Sequence, residues 1–141
     1  MKLMFLLFTL PLLLTYQSSI AQEQGSRVND PPAARQKTGI VISSCDAETV
    51  WNAFRLANFA LNQGDSVSVF LLGKGVEAPG ISDRNFDIAD QISTFSSDGG
   101  KIMSSGTCLK LHKLKAAKIC PVASLSDLYI LIRTHDKLLT F

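Results

Sequence analysis

Short apolar runs that alternate with segments of helical spacing are the feature that most constrains this fold. Ile40–Ile42 and Val67–Leu72 are almost continuously apolar and rich in β-branched residues, which is typical of strands buried on both faces. Between them lies a segment with one apolar stripe, which we predict to be a helix capped by Asp46 and stopped by Gly64. This alternation predicts an α/β fold.

The alternation continues to the end of the chain. We predict helices around residues 86–95, 108–114 and 124–132, strands at 101–104, 119–122 and 136–141, and a loop at the glycine- and proline-bearing residues 73–80. Ser124 and Asp127 have the spacing of a capping box. In the helix that they begin, we expect four apolar side chains to face inward: Leu125, Leu128, Tyr129 and Ile132.

Five buried strands separated by helices predict a mostly parallel sheet covered on both faces, a single-domain three-layer α/β sandwich of flavodoxin or Rossmann-like type. We predict a flavodoxin-like strand order, in which the first and third strands are neighbours. The functional crevice is then expected beyond the carboxyl ends of those strands. Cys45 follows the first strand and Cys108 the third, so this order predicts that their sulfurs lie close enough for exchange.

The amino terminus has the pattern of a cleavable signal peptide. Lys2 precedes an apolar run, Leu3–Leu14, that is too short to span a bilayer, and small residues lead up to Ala21. We predict a signal peptide at residues 1–21, a flexible linker at 22–37 and one domain at 38–141. The expected location is the periplasm or the exterior, without membrane attachment after cleavage; an uncleaved membrane anchor is the alternative.

The charge balance argues against a nucleic-acid partner. Removing residues 1–21 takes away one of the 14 basic side chains and none of the 12 acidic ones, so the remaining chain is nearly neutral. Such a chain offers no broad electrostatic surface for nucleic acid or anionic lipid.

The candidate functional residue is Cys108, in the stretch SSGTCLKLH at residues 104–112. If Ser105 or Thr107 caps the helix, Cys108 lies in its first turn, where the helix dipole favours a thiolate. His112 is one turn further on the same face, and Lys110 and Lys113 are near in sequence. We therefore expect Cys108 to be the most reactive of the three thiols, although a small packed residue would also fit the pattern.

The other two cysteines carry weaker signals. Cys45 is a candidate resolving or relay thiol, or a packed residue before the Asp46 cap, and Cys120 precedes a proline on a predicted strand, where core packing is expected. No Cys-x-x-Cys pair exists, and Cys108 with His112 supplies too few ligands for a metal site, so neither a metal nor another cofactor is predicted. Gly73–Gly75 lacks the spacing of a phosphate loop and is expected to form a turn.

Three stretches resemble the DsrE/DsrF-like family, including its YchN-type members: Gly64–Val76, Gly99–Lys110, and the ending Ser126–Leu128 with Asp136–Phe141. The resemblance implies small α/β subunits assembled into homotrimers or hexamers, some of which carry sulfane sulfur as a cysteine persulfide. Family members often have Cys-Gly-Thr-Cys at the turn before the third helix. Here Ser105 takes the place of the first cysteine, and Cys108 is the second.

Two functions remain open from the sequence. The first is a sulfur-trafficking protein, acting as a sulfur carrier or a sulfurtransferase, in which Cys108 takes sulfur from a donor protein and passes it to an acceptor, with Cys45, His112 and Thr107 as supporting residues. The second is a non-catalytic oligomeric module that binds a ligand or partner at the same crevice, with the transfer chemistry lost at Ser105.

Overall fold

The alternation of strands and helices is present throughout residues 34–141, the part of the chain that the computed structural model describes. The strands are β1 (Lys37–Ile42), β2 (Ser66–Leu71), β3 (Lys101–Ser105), β4 (Val122–Ala123) and β5 (Lys137–Thr140). The helices are α1 (Ala47–Asn62), α2 (Ile88–Ser97), α3 (Gly106–Leu111) and α4 (Leu125–Thr134), and a 3₁₀ helix (Gly73–Gly80) occupies the predicted loop. The predicted signal peptide and most of the predicted linker lie outside the described residues.

Capping residues set the helix boundaries where the sequence predicts them. The Asp46 carboxylate accepts the backbone N–H of Thr49 at the start of α1, and Gly64, with φ of +95°, follows its end. At the start of α4, the Ser124 hydroxyl accepts the N–H of Asp127 while the Asp127 carboxylate accepts that of Ser124. This reciprocal pair is the predicted capping box.

The sheet is entirely parallel, but its strand order differs from the prediction. The order is β4-β3-β2-β1-β5, so β2 lies between β1 and β3 and the flavodoxin-like order is wrong. The helix pattern identifies each crossover but carries no information about the side on which the next strand is added. Here α1, α2 and α3 add strands in one direction, and the connection through α4 returns the chain to the other side of β1.

The reversal of direction explains why the two faces of the sheet are covered unequally. Right-handed crossovers place helices on one face while strands are added in one direction and on the opposite face after a reversal. Ile40, Val69 and Leu71 pack with α1 and α2 in the larger core. On the opposite face, Val41 and Phe70 pack with α4 in a smaller core. The result is the predicted three-layer arrangement.

The orientation of α4 differs from the prediction. Leu128 and Leu131 are its buried residues, whereas Leu125, Tyr129 and Ile132 are 79%, 62% and 47% exposed. Of the four side chains expected to face inward, only Leu128 does so. An apolar side of α4 is therefore uncovered in the single subunit. No helix within residues 34–141 has the length and apolar character needed to cross a bilayer.

Cys120 belongs to the larger core, as the sequence predicts. Its side chain has no solvent exposure, and this burial raises the pKa of the Cys120 thiol from 9.0 to about 11. The cause is the loss of hydration that a thiolate would suffer at this site. Cys120 is therefore held as a neutral thiol at ordinary pH.

The raised pKa of Cys120 predicts a loss of stability in alkali. Between pH 9 and 11 the unfolded chain releases a proton that the native thiol keeps, so the free energy of unfolding falls as pH rises, by about 1 kcal/mol at pH 10 relative to neutral pH. Denaturant unfolding at both pH values measures this loss. Between the two pH values, the free energy of unfolding of Cys120→Ala should fall by about 1 kcal/mol less than that of the wild-type protein. An equal fall in both proteins would contradict the raised pKa of Cys120.

Candidate active site around Cys108

Cys108 lies at the carboxyl edge of the sheet, in the first turn of α3. Ser105, the last residue of β3, is the N-cap of this helix, and its hydroxyl oxygen accepts the backbone N–H of Cys108 at 3.4 Å. The cap is therefore Ser105 and not Thr107, so Ser105 has a structural role at the start of α3. Ser105 thus connects the end of β3 to the first turn of α3 and holds Cys108 at the end of the sheet.

A second element reaches the thiol from the neighbouring strand. The backbone N–H of Gly73, the first residue of the 3₁₀ helix, donates a hydrogen bond to Cys108 Sγ at 3.1 Å. Gly73 has φ of +53°, a conformation that other residues adopt only with strain. Since the first N–H groups of a helix have no partner within it, the sulfur of Cys108 satisfies one of these donors.

The thiol therefore sits where two short helices begin. The 3₁₀ helix directs one backbone N–H, that of Gly73, at the sulfur, and a hydrogen bond of this kind is stronger to an anionic acceptor than to a neutral one. The thiolate is the form that attacks sulfur or carbon electrophiles. Cys108 is half-buried, so its surroundings are partly desolvated but still open to a reactant.

His112 lies one helical turn beyond Cys108 and contacts the same 3₁₀ helix. Its Nδ1 is 2.9 Å from the Oε1 atom of Glu77. The two short helices thus contact each other at two points, through Gly73 with Cys108 and through Glu77 with His112. Glu77 and His112 also line an open cavity of about 650 Å³, whose wall includes Ser104 and Leu109.

A second cavity of about 590 Å³ lies on the other side of α3, between α3 and the start of α4. Thr107 and Lys110 line it, together with Ser124 and Asp127. The chain changes faces here, since α3 packs against the larger core and α4 against the smaller one, and ligands of open parallel sheets bind at such switch points. Thr107 and Lys110 line this cavity and do not line the one that includes His112.

Cys45 is not brought together with Cys108 by strand pairing. β2 separates β1 from β3, so equivalent positions on those two strands are about two strand spacings, or ~9.6 Å, apart. The adjacency that made Cys45 a relay candidate is absent. All three cysteines are free thiols, and within residues 34–141 no three side chains of His, Cys, Asp or Glu are grouped so as to hold a metal ion.

Two residues of the site, Gly73 and Glu77, were not predicted from the sequence. The pattern Gly73–Gly75 after a strand did mark a backbone feature, because a side chain at Gly75 would overlap the backbone of Ile42. The contact between Gly73 and Cys108, however, joins positions 35 residues apart. Only the packing of the 3₁₀ helix against α3 reveals it.

Comparison with known proteins assigns the family. The pattern of the DsrE/DsrF-like family matches residues 36–141, which span all five strands. The chain belongs to this family. No curated protein matches the chain significantly.

Among solved structures, the fold is similar to that of the ychN protein from E. coli. The two share 19% sequence identity with a TM-score of 0.66, over 77% of this chain and 100% of that one. At this identity the likeness shows the α/β fold, which confirms the fold class predicted for this DsrE/DsrF-like chain.

Gly73→Ala should reduce the reactivity of Cys108. Alanine is strained by about 1 kcal/mol or more at this φ, and relief of the strain moves the N–H away from the sulfur. We expect alkylation of Cys108 at neutral pH to slow roughly three- to tenfold, the effect of losing about 1 kcal/mol of hydrogen bonding to the thiolate. Timed alkylation with peptide mapping measures the rate.

Gly64→Ala is the matched control for this change. Gly64 also has a positive φ, +95°, and an added Cβ there would meet only the Arg35 side chain, at 4.0 Å, but Gly64 lies at the end of α1. The Gly64→Ala substitution should lower the free energy of unfolding by a similar amount without slowing the alkylation of Cys108. Equal labelling rates in the two variants would contradict a role for the Gly73 N–H.

Proposed function

We propose that this DsrE/DsrF-like protein carries sulfane sulfur as a persulfide on Cys108 and passes it to an acceptor thiol. The observation that carries the proposal is the hydrogen bond from Gly73 to Cys108 Sγ at the start of two helices. This arrangement favours a nucleophilic sulfur at a half-exposed position. A sulfur-relay type of role also agrees with the family.

The chemistry needs no cofactor. The Cys108 thiolate attacks the outer sulfur of a donor persulfide, the donor's S–S bond breaks, and the donor leaves as a thiolate while Cys108 gains one sulfur atom. In the second step an acceptor thiolate attacks that outer sulfur and releases Cys108 as a thiolate. The sulfane sulfur changes carrier in each step, and no external oxidant or reductant is consumed.

The proposed setting is an exported compartment, with a donor and an acceptor protein as partners. The signal-like pattern at residues 1–21 supports export. A chain that holds its reactive sulfur as a free thiol or persulfide there would rely on the shielding that the half-buried site gives Cys108.

Intact mass after incubation with a sulfane donor tests the proposal. The wild-type protein should gain the mass of one sulfur atom, and a reductant should remove that sulfur. Cys108→Ser should abolish the gain, while Cys120→Ser should keep it, because Cys120 is buried and its pKa of about 11 leaves almost no thiolate near neutral pH.

A persulfide that survives in Cys108→Ser would place the chemistry on another residue. No gain in the unmodified protein would support the alternative, a non-catalytic binding module of the same fold.

We also propose that the chain forms a homo-oligomer, a trimer or a hexamer, through α4. The aromatic residues Trp51 and Phe54 of α1 are not available for such an interface, because Phe54 is buried in the subunit and the Trp51 indole donates a hydrogen bond to Asp87 and packs on Phe86. The uncovered apolar side of α4 is the better candidate. It also lines a groove of about 430 Å³ that a side chain of a second copy would fill.

Tyr129→Lys should disrupt this assembly. A charged side chain in the centre of an apolar contact loses its hydration when the contact forms, so association should weaken by tenfold or more, on the order of 2 kcal/mol. Light scattering at micromolar concentration gives the mass. Phe59→Lys on α1 is the control, since Phe59 is equally exposed at 62%. A monomeric unmodified protein, or an unchanged mass in Tyr129→Lys, would overturn this interface.

A further inference from the structure

His112 was expected only as a supporting residue, and its pair with Glu77 has no part in the two sulfur-transfer steps proposed above. The two side chains come from adjacent short helices, are 28% and 40% exposed, and line the 650 Å³ cavity, whose wall also includes Leu109, the residue after Cys108. Polar pairs this exposed contribute little to stability. Their position at a cavity wall, one turn from the reactive thiol, points to a role in the reaction.

The hydrogen bond fixes which nitrogen of His112 is free. An ionised carboxylate only accepts hydrogen bonds, so the 2.9 Å contact requires that Nδ1 carry the proton that it donates to Glu77 Oε1. In the neutral imidazole, Nε2 is then unprotonated. Residues 34–141 make no hydrogen bond to Nε2, so it is able to accept a proton from a molecule in the cavity. A base oriented by a carboxylate is a recurring arrangement for activating nucleophiles.

The geometry also relates this base to the sulfur. Residues four apart on a helix lie on the same face. The backbone N–H of His112 donates a hydrogen bond to the backbone carbonyl of Cys108 at 2.9 Å. Leu109, between them in the chain, forms part of the cavity wall with His112. A reactant in this cavity would thus lie beside the turn that carries Cys108. The volume suits a small thiol or the exposed cysteine of a partner's loop.

We infer that His112, held by Glu77, is the catalytic base that activates the acceptor thiol. Nε2 takes the proton of the acceptor thiol, and the resulting thiolate attacks the outer sulfur of the Cys108 persulfide. The S–S bond to Cys108 breaks, its electron pair stays on Cys108 Sγ beside the Gly73 N–H, and the sulfur leaves as the acceptor's persulfide. The imidazolium then gives its proton to solvent. Glu77 is a positioning residue.

This inference rests on the proposed persulfide function, and the two can be tested separately by dividing the reaction in half. The full-length protein is first loaded with a sulfane donor, and the intact mass gives the loaded fraction. After removal of the donor, free cysteine is added as the acceptor probe and the decay of the loaded form is timed. His112→Gln should load but discharge roughly 10- to 100-fold more slowly at neutral pH.

His135→Gln is the matched control, because the chain has two histidines and this one caps α4. It should load and discharge as the unmodified protein does. Glu77→Gln keeps the imidazole but loses the charge that orients it. We expect an intermediate rate, which provides a second test if His112→Gln folds poorly.

The pH profile distinguishes a base from a structural residue. The charged side chains that share the cavity wall with His112 are Glu77 and Lys115. Below the pKa of the acceptor thiol, the discharge rate of His112→Gln should rise about tenfold per pH unit, following the thiolate fraction of the acceptor alone, whereas that of the wild-type protein should rise less steeply because His112 also activates the neutral thiol.

Three outcomes are decisive. Normal loading with slow, pH-dependent discharge in His112→Gln supports the inference. Normal loading with unchanged discharge overturns it and leaves the function of Cys108 intact. Failure of the unmodified protein to load overturns the persulfide function and, with it, the role of His112.

Discussion

The hydrogen bond from the Gly73 N–H to Cys108 Sγ is the interaction on which the site depends. It joins the end of β2 to the start of α3, and it exists because Gly73 adopts a positive φ that turns its N–H toward the neighbouring strand end. The donor is a backbone group, so it adds no charge and needs no reorganisation when the sulfur becomes negative. With Ser105 holding the first turn of α3, the sulfur is fixed before any reactant arrives.

The topology explains where a reactant can approach. Strands are added in one direction as far as β4, and the chain then crosses to the opposite face through α4. This leaves α3 between two cavities, one toward the 3₁₀ helix and one toward α4. Because α4 is the main helix on its face, its outer side has no partner within the described chain. One structural cause thus accounts for both the open site and the exposed apolar helix.

The sequence predicted what local patterns determine: the α/β alternation, the Asp46 cap, the capping box of α4 and the burial of Cys120. It failed where packing decides. Crossover helices do not specify strand order, so β1 and β3 were wrongly taken as neighbours. In α4 residues 128–132 form an unbroken apolar run, so several stripes fitted equally well, and Leu128 with Leu131 proved to be buried. Gly73 and Glu77 were missed because their partners, Cys108 and His112, are distant in the chain.

We propose that the surroundings of Cys108 make it the most reactive of the three thiols. The most direct measurement is substoichiometric alkylation of the native protein at pH 7, followed by peptide mapping of all three cysteines. Cys108 should be labelled first and Cys120 last, because the Cys108 sulfur receives the Gly73 N–H at a half-exposed position and the Cys120 sulfur is fully buried. Labelling of Cys120 or Cys45 ahead of Cys108 would contradict it.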